Sequence, residues 1–137
     1  MSDHCRIGVV MEDGSIESIY CHEGYVVNTL LDFWTDPDKV KKLMQEGNVS
    51  KLGEEIGEKH DPTADKTPES SNRWCVFYRR DKGEKSGTEA IASPTEQEFW
   101  LLCSQTGAGG QAFLFRDGAW YEPTFVQTKF ADNGINT

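Results

Sequence analysis

The stretch that decides the predicted fold is residues 6–21, RIGVVMEDGSIESIYC. Two runs rich in β-branched residues flank Asp13-Gly14, a strong signal for a two-residue hairpin turn. With Asp13-Gly14 as the turn, Glu12 faces Ser15, and the alternation of side chains along each strand fixes the two faces. That register predicts one core face with six residues: Ile7, Val9, Met11, Ile16, Ser18 and Tyr20.

Two helices are expected next. Apolar residues recur at helical spacing from residue 26 to residue 34, which predicts a short helix that breaks near Thr35. Asp36 is a natural N-cap with Pro37 at the first helical position, and Gly47 is placed to end this second helix. We expect its buried stripe to contain Val40, Leu43 and Met44. Residues 49–58, VSKLGEEIGE, are predicted to add a further helical turn.

Residues 57–72, GEKHDPTADKTPESSN, are polar and contain two prolines, so we predict an exposed loop in which His60 is solvated. RWCVFY at 73–78 is typical of a strand, and TEAIA at 88–92 of a weaker one. Ser93 and Glu96 have the spacing of a capping box, which predicts a helix with three buried residues: Phe99, Leu102 and Cys103.

A second Asp-Gly hairpin is expected at residues 111–122, QAFLFRDGAWYE, with Phe115 facing Trp120 and Leu114 facing Tyr121. The predicted order is therefore β-β-α-α-β-(β)-α-β-β. Hairpins at both ends favour an α+β fold, an antiparallel sheet with helices packed on one face. We expect a single domain at residues 1–125 and a polar tail at 126–137.

The charge of the chain restricts its partners. The 137 residues include 23 acidic and 14 basic side chains, for a net charge of −9. This balance repels phosphate backbones and disfavours non-specific binding to nucleic acids, so a basic or neutral partner fits better. No apolar run approaches the roughly 20 residues of a membrane-spanning helix. We expect a cytoplasmic protein with no membrane contact, whose four cysteines stay reduced.

Cys21-His22 raises the question of a reactive centre. Neighbours in a strand point to opposite faces, so these two side chains do not form a dyad, whereas Cys5 and His22 face each other across the predicted hairpin. His4, Cys5, Cys21 and His22 have the residue types of a zinc site, but the spacing of a zinc motif is missing. We therefore predict no catalytic residue, metal or cofactor, and we keep a small Cys/His enzyme as an alternative.

A set of aromatic and basic residues is better suited to binding. Aromatic faces stack on bases, and guanidinium groups bind phosphates, so a nucleotide-sized ligand is one candidate. The alternative interpretation is that the aromatic residues belong to the core and the arginines are solvated. The predicted binding residues are Tyr20, His22, Tyr25, Arg79, Arg80, Arg116 and Trp120.

Several segments together resemble a family of small, mostly uncharacterised proteins of phages and prophages. That family has a strand, Asp-Gly and strand at its start, a Cys-His-Trp-Asp-Gly-Tyr segment, a Thr-Leu-Leu helix and a late Leu-Phe-Arg-Asp-Gly-x-Trp hairpin. Where the family has Trp-Asp, this chain has only Glu23. The matching segments are RIGVVMEDGSIESIYCH (6–22), GYVVNTLLDFWTDPDKVKKLMQEGNVSKLGEEI (24–56), RRDKGE (79–84) and AFLFRDGAWY (112–121).

The resemblance implies a phage accessory protein in the cytoplasm of the host cell. With the charge and the aromatic set, it predicts a non-enzymatic protein that binds a host bacterial protein, to counter host defence or redirect host physiology. One alternative is a sponge that sequesters a nucleotide signal, and a structural role in the virion is another. A homodimer through strand pairing is also open.

Overall fold

The computed structural model describes residues 4–23, 26–63, 73–105 and 111–122. The predicted tail at 126–137 and most of the predicted loop, residues 64–72, lie outside the described residues. The strands are β1 (Cys5–Val10), β2 (Ile16–Cys21), β3 (Val49–Lys51), β4 (Val76–Phe77), β5 (Ile91–Ser93), β6 (Ala112–Arg116) and β7 (Ala119–Tyr121). The helices are α1 (Val27–Phe33), α2 (Pro37–Glu46) and α3 (Glu96–Gln105).

The strands form one sheet in the order β4-β3-β2-β1-β6-β7, with β5 also paired to β2. The α+β class is confirmed, but the sheet is mixed rather than antiparallel, because β1 pairs with β6 and β2 pairs with β3 in parallel. The chain from β2 to β3 passes through α1 and α2, which is the long crossover that a parallel pair requires. Residues 49–51 are thus a strand, and the predicted helical turn there is wrong.

The first hairpin differs from its predicted register by one residue. The N–H of Met11 donates to the carbonyl of Ser15 over 2.7 Å, and the N–H of Gly14 donates to the carbonyl of Met11 over 3.0 Å. The loop therefore has three residues, and Gly14 takes a φ of +87° that a side chain would oppose. As a result Cys5 faces Cys21, where the sequence predicted His22, and Arg6 faces Tyr20, where it predicted Cys21.

Helices cover both faces of the sheet, so the prediction that they pack on one face is wrong. On the first face α1 and α2 enclose the larger core with buried side chains such as Trp34, Leu43 and Phe77. On the second face α3 packs Phe99 and Cys103 against residues of β2 and β6. The one-residue change of register explains this second core, because it places the apolar Ile16 on the face that α3 covers.

Of the two N-cap residues predicted from the sequence, one is confirmed and the other is wrong. Asp36 caps α2 as predicted, since its side chain accepts a hydrogen bond from the N–H of Asp38. Helix α3 is capped by Thr95, whose hydroxyl accepts from the N–H of Glu98 over 3.2 Å. The predicted cap, Ser93, pairs with Ile16 as the last residue of β5 and is not free to cap a helix.

The second hairpin is confirmed. Phe115 faces Trp120, and Leu114 faces Tyr121, as the Asp-Gly turn predicts. Asp117 and Gly118 both have positive φ, the backbone that a two-residue hairpin turn requires.

Candidate functional site

Three aromatic side chains meet at the open end of the first hairpin: His4, Tyr20 and His22. The ring centres of His4 and His22 are 4.5 Å apart, and that of Tyr20 lies 5.6 Å from His4 and 6.1 Å from His22. The Tyr20 hydroxyl is 2.8 Å from Nδ1 of His22, and Nδ1 of His4 is 2.8 Å from the carbonyl oxygen of His22. We call this cluster the histidine–tyrosine surface.

The strands around this surface hold its residues in place. The N–H of Tyr20 donates to Oδ1 of Asn48 over 2.9 Å, and the N–H of His22 donates to the carbonyl of Val49 over 3.0 Å. His22 itself is exposed, while Tyr20 and His4 are half-buried. The Tyr20 and His22 rings are therefore held by hydrogen bonds at a place that solvent reaches.

The environment of Tyr20 is aromatic and partly cationic. Burial raises the pKa of the Tyr20 phenol, and the nearby Tyr78 raises it further, so the hydroxyl stays protonated at neutral pH. Nζ of Lys82 lies 5.2 Å from the centre of the Tyr78 ring. A cation therefore lies near the aromatic rings at this end of the sheet.

The cysteines of the first hairpin lie on the other face of the sheet. Cys5 and Cys21 are directly opposite each other and fully buried, and the Cys5 thiol donates to the carbonyl of Glu23 over 3.2 Å. The hydrogen bond with Cys5, together with burial, holds the pKa of the Cys21 thiol well above its usual value. Both thiols thus lack the access of a nucleophile, and the predicted pair of Cys5 with His22 is not formed.

Two predicted arginines hold the backbone together. Nη2 of Arg79 donates to the carbonyls of Gln45 and Glu46 at the end of α2, over 2.9 and 3.4 Å. Arg80 donates through Nε to the Asp81 carboxylate, and its side chain is only 14% exposed. Its terminal nitrogens are occupied by the carbonyls of Ile56, Gly57 and Cys75.

The remaining predicted residues do not join the histidine–tyrosine surface. Nη1 of Arg116 pairs with Glu96 over 2.8 Å beside α3. Trp120 packs on the larger core, and its Nε1–H donates to the carbonyl of Trp34 over 2.9 Å. Tyr25 lies outside the described residues. Of the seven predicted residues, the structure brings Tyr20 and His22 together.

His60 corrects a further prediction, because it is buried with 8% exposure rather than solvated. Its Nδ1 lies 2.7 Å from the carbonyl of Glu58, and its ring centre lies 5.4 Å from that of Trp74. The backbone N–H of His60 donates to the buried Asp81 carboxylate over 3.0 Å. The polar composition around residue 60 carries no signal of this burial, which depends on a contact with a residue 21 positions away.

A groove of about 830 Å³ lies beside α2, with Lys39, Lys42 and Arg80 in its lining. Lys39 is already bonded to the carbonyls of Phe33 and Glu54, each over 2.6 Å. The acidic groups Asp36, Asp38 and Glu46 share the lining, so the groove has no strong preference for an anion. Tyr20 is not part of its lining.

Within the described ranges, no three or more His, Cys, Asp or Glu side chains are arranged to hold a metal ion. In the same residues no helix is long and apolar enough to cross a membrane. Comparison of the chain with protein-family models, with curated protein sequences and with solved structures finds no match.

Proposed function

We propose that this is a phage-encoded accessory protein that acts by binding a host protein in the cytoplasm of the host cell. Binding through the histidine–tyrosine surface would inhibit or redirect the host protein, for defence evasion or host takeover. The resemblance of four segments to phage and prophage proteins supports the context. The observation that carries the binding role is the partly exposed cluster of His4, Tyr20 and His22.

The cluster has the properties of a recognition surface. Tyrosine is enriched among the residues that contribute most to binding energy in protein interfaces. Side chains that are already held by hydrogen bonds lose less conformational entropy when a partner binds. The 2.8 Å contact between Tyr20 and His22 provides such a restraint. A partner of neutral or basic character complements the net charge of −9.

A nucleotide sponge is less well supported than a protein-binding role. In that alternative Arg79 and Arg80 were predicted to bind the phosphates, whereas both donate to backbone carbonyls. Isothermal titration with cyclic oligonucleotides and ADP-ribose derivatives separates the two functions. Stoichiometric binding of a ligand from this panel would replace the protein-binding proposal.

The experiment for the proposed function is affinity capture from a lysate of the bacterial host, followed by mass spectrometry. We expect one host protein to be retained in a stoichiometric amount. Retention of the same protein in a reciprocal capture establishes the pair. If no host protein is retained in either direction, the proposal of an interaction inhibitor is wrong.

A further inference from the structure

Arg6 is a buried cation in the middle of the sheet. The residue is 3% exposed, and its Nε donates to the hydroxyl of Ser18 over 2.9 Å. Nη2 donates to the backbone carbonyl of the same residue over 3.2 Å. Among the described residues no carboxylate lies within ion-pair distance of Arg6.

This arrangement is costly for a folded protein. Arginine is almost never fully buried unless it is paired, because removal of a charge from water needs compensation from an opposite charge or from several hydrogen bonds. One hydroxyl and one carbonyl occupy only part of the five N–H donors of a guanidinium. Burial lowers the pKa of Arg6, which reflects the same loss of hydration. An anion would supply the missing compensation.

Although Arg6 as a residue is 3% exposed, its Nη1 is not completely enclosed. In the described part of the chain, Nη1 of Arg6 has no hydrogen-bond partner. Two completely buried side-chain atoms of the described residues lack a hydrogen-bond partner, Nε2 of His60 and Oγ1 of Thr88. Nη1 of Arg6 also lacks a partner there but is not one of these two atoms, so it is not completely buried. A small oxyanion therefore has a nitrogen to approach.

The surroundings of Arg6 favour an anion. Tyr20 is its direct partner across the hairpin, and His4 precedes it by two residues, about 7 Å along the strand on the same face. The positions that share this face in β1 and β2 contain no acidic residue: Arg6, Gly8, Val10, Ile16, Ser18 and Tyr20. The Tyr20 hydroxyl and Nδ1 of His4 are already engaged with His22, so the guanidinium itself supplies the attraction for an anion.

We propose that Arg6 binds an oxyanion, a carboxylate or a phosphate, which enters beside Tyr20 and His4. The guanidinium gives this site its charge, because planar N–H donors match the two oxygens of a carboxylate or phosphate. The site goes beyond the proposed function, since it binds an anion whether or not a host protein is present. The anion is either a free phosphate or the carboxylate of a partner.

The test is a titration of the full-length protein at constant ionic strength, with chloride as the balancing anion. One arm uses inorganic phosphate, and the other uses N-acetyl-aspartate as a carboxylate probe. The side-chain Nε–H signal of Arg6 is followed by NMR in each arm. We expect a saturable shift in at least one arm. Saturation by phosphate alone identifies a phosphate site, and saturation by N-acetyl-aspartate alone identifies a site for a partner's carboxylate.

Arg6→Met and Arg116→Met are the matched variants, because Arg116 is a half-exposed arginine with its own carboxylate partner. We expect Arg6→Met to lose anion binding at least tenfold, measured by the anion-dependent rise in unfolding temperature, while Arg116→Met retains it. An equal rise in both variants would overturn the proposal. If Arg6→Met does not fold, the NMR titration of the unaltered protein decides alone, and the absence of a saturable shift in both arms overturns the proposal.

Discussion

The ring of Phe99 lies directly over the backbone of Gly8, so close that a Cβ atom on residue 8 would be 2.8 Å from Cε1 of Phe99. This contact holds α3 on the second face of the sheet. A larger residue at position 8 has no room unless the Phe99 ring or the helix moves.

We therefore predict that Gly8→Ala lowers the free energy of unfolding by about 1–3 kcal/mol, the usual cost of overpacking. Urea denaturation measures the change. Phe99→Leu in the same background should recover part of the loss, because the smaller side chain relieves the contact. A stability of Gly8→Ala within about 0.5 kcal/mol of the unaltered protein would contradict this packing.

Asp81 provides a second test of the structure. Its carboxylate is fully buried and accepts hydrogen bonds from Nε of Arg80 over 2.9 Å and from the N–H of Phe77 over 2.8 Å. Asp81→Asn removes the charge and leaves that of Arg80 without its partner, so we expect a loss of about 3–5 kcal/mol in unfolding free energy. Chemical denaturation measures it.

The control for Asp81→Asn is Glu96→Gln, which removes the charge from the half-exposed pair with Arg116. Exposed ion pairs contribute about 0–1 kcal/mol, so this variant should stay close to the original stability. Equal losses in the two variants would show that Asp81 is not the buried anchor described above.

Two buried thiols predict a loss of stability in alkali. Burial raises the pKa of Cys75 and of Cys103 to about 12 in the folded protein, above the usual value of 9. Between pH 9 and pH 12 the unfolded chain releases these protons and the folded chain keeps them. The free energy of unfolding therefore falls as the pH rises, by about 1.4 kcal/mol per pH unit for each thiol.

Tyrosines and lysines titrate in the same range, so the informative quantity is the difference between variants. The free energy of unfolding of Cys103→Ala should decline less steeply between pH 9 and pH 12 than that of the unaltered protein. Denaturation curves at several pH values measure the two slopes. Identical slopes would mean that Cys103 ionises as readily in the folded state as in the unfolded one.

Local signals in the sequence predicted the elements whose structure is decided locally. The cap at Asp36 and the second Asp-Gly hairpin both follow from a few adjacent residues, and both are confirmed. The first hairpin has the same Asp-Gly pair, yet its loop has three residues. Asp-Gly is compatible with both loop lengths, and in the observed three-residue loop Ile16 packs under α3.

The strand at residues 49–51 shows the reverse case, in which a distant contact overrides a local pattern. Its backbone pairs with Cys21 on one side and Phe77 on the other, and neither partner is close in sequence. The candidate site follows the same logic. Tyr20 and His22 are neighbours in the chain and were predicted together, whereas the position of Arg6 opposite Tyr20 depends on the register of the hairpin.

The most direct test of the binding role is capture of a host protein by matched surface variants. The double variant Tyr20→Ala with His22→Ala removes two rings of the histidine–tyrosine surface. Tyr121→Ala removes an exposed ring from the edge strand β7 and serves as the control. Circular dichroism and thermal unfolding first establish that all three proteins fold.

We predict that the unaltered protein and Tyr121→Ala retain the same host protein in equal amounts, and that the double variant retains at least tenfold less. This result would assign recognition to His22 and Tyr20. Equal retention by the folded double variant would contradict the account, since the partner would then bind through another part of the molecule.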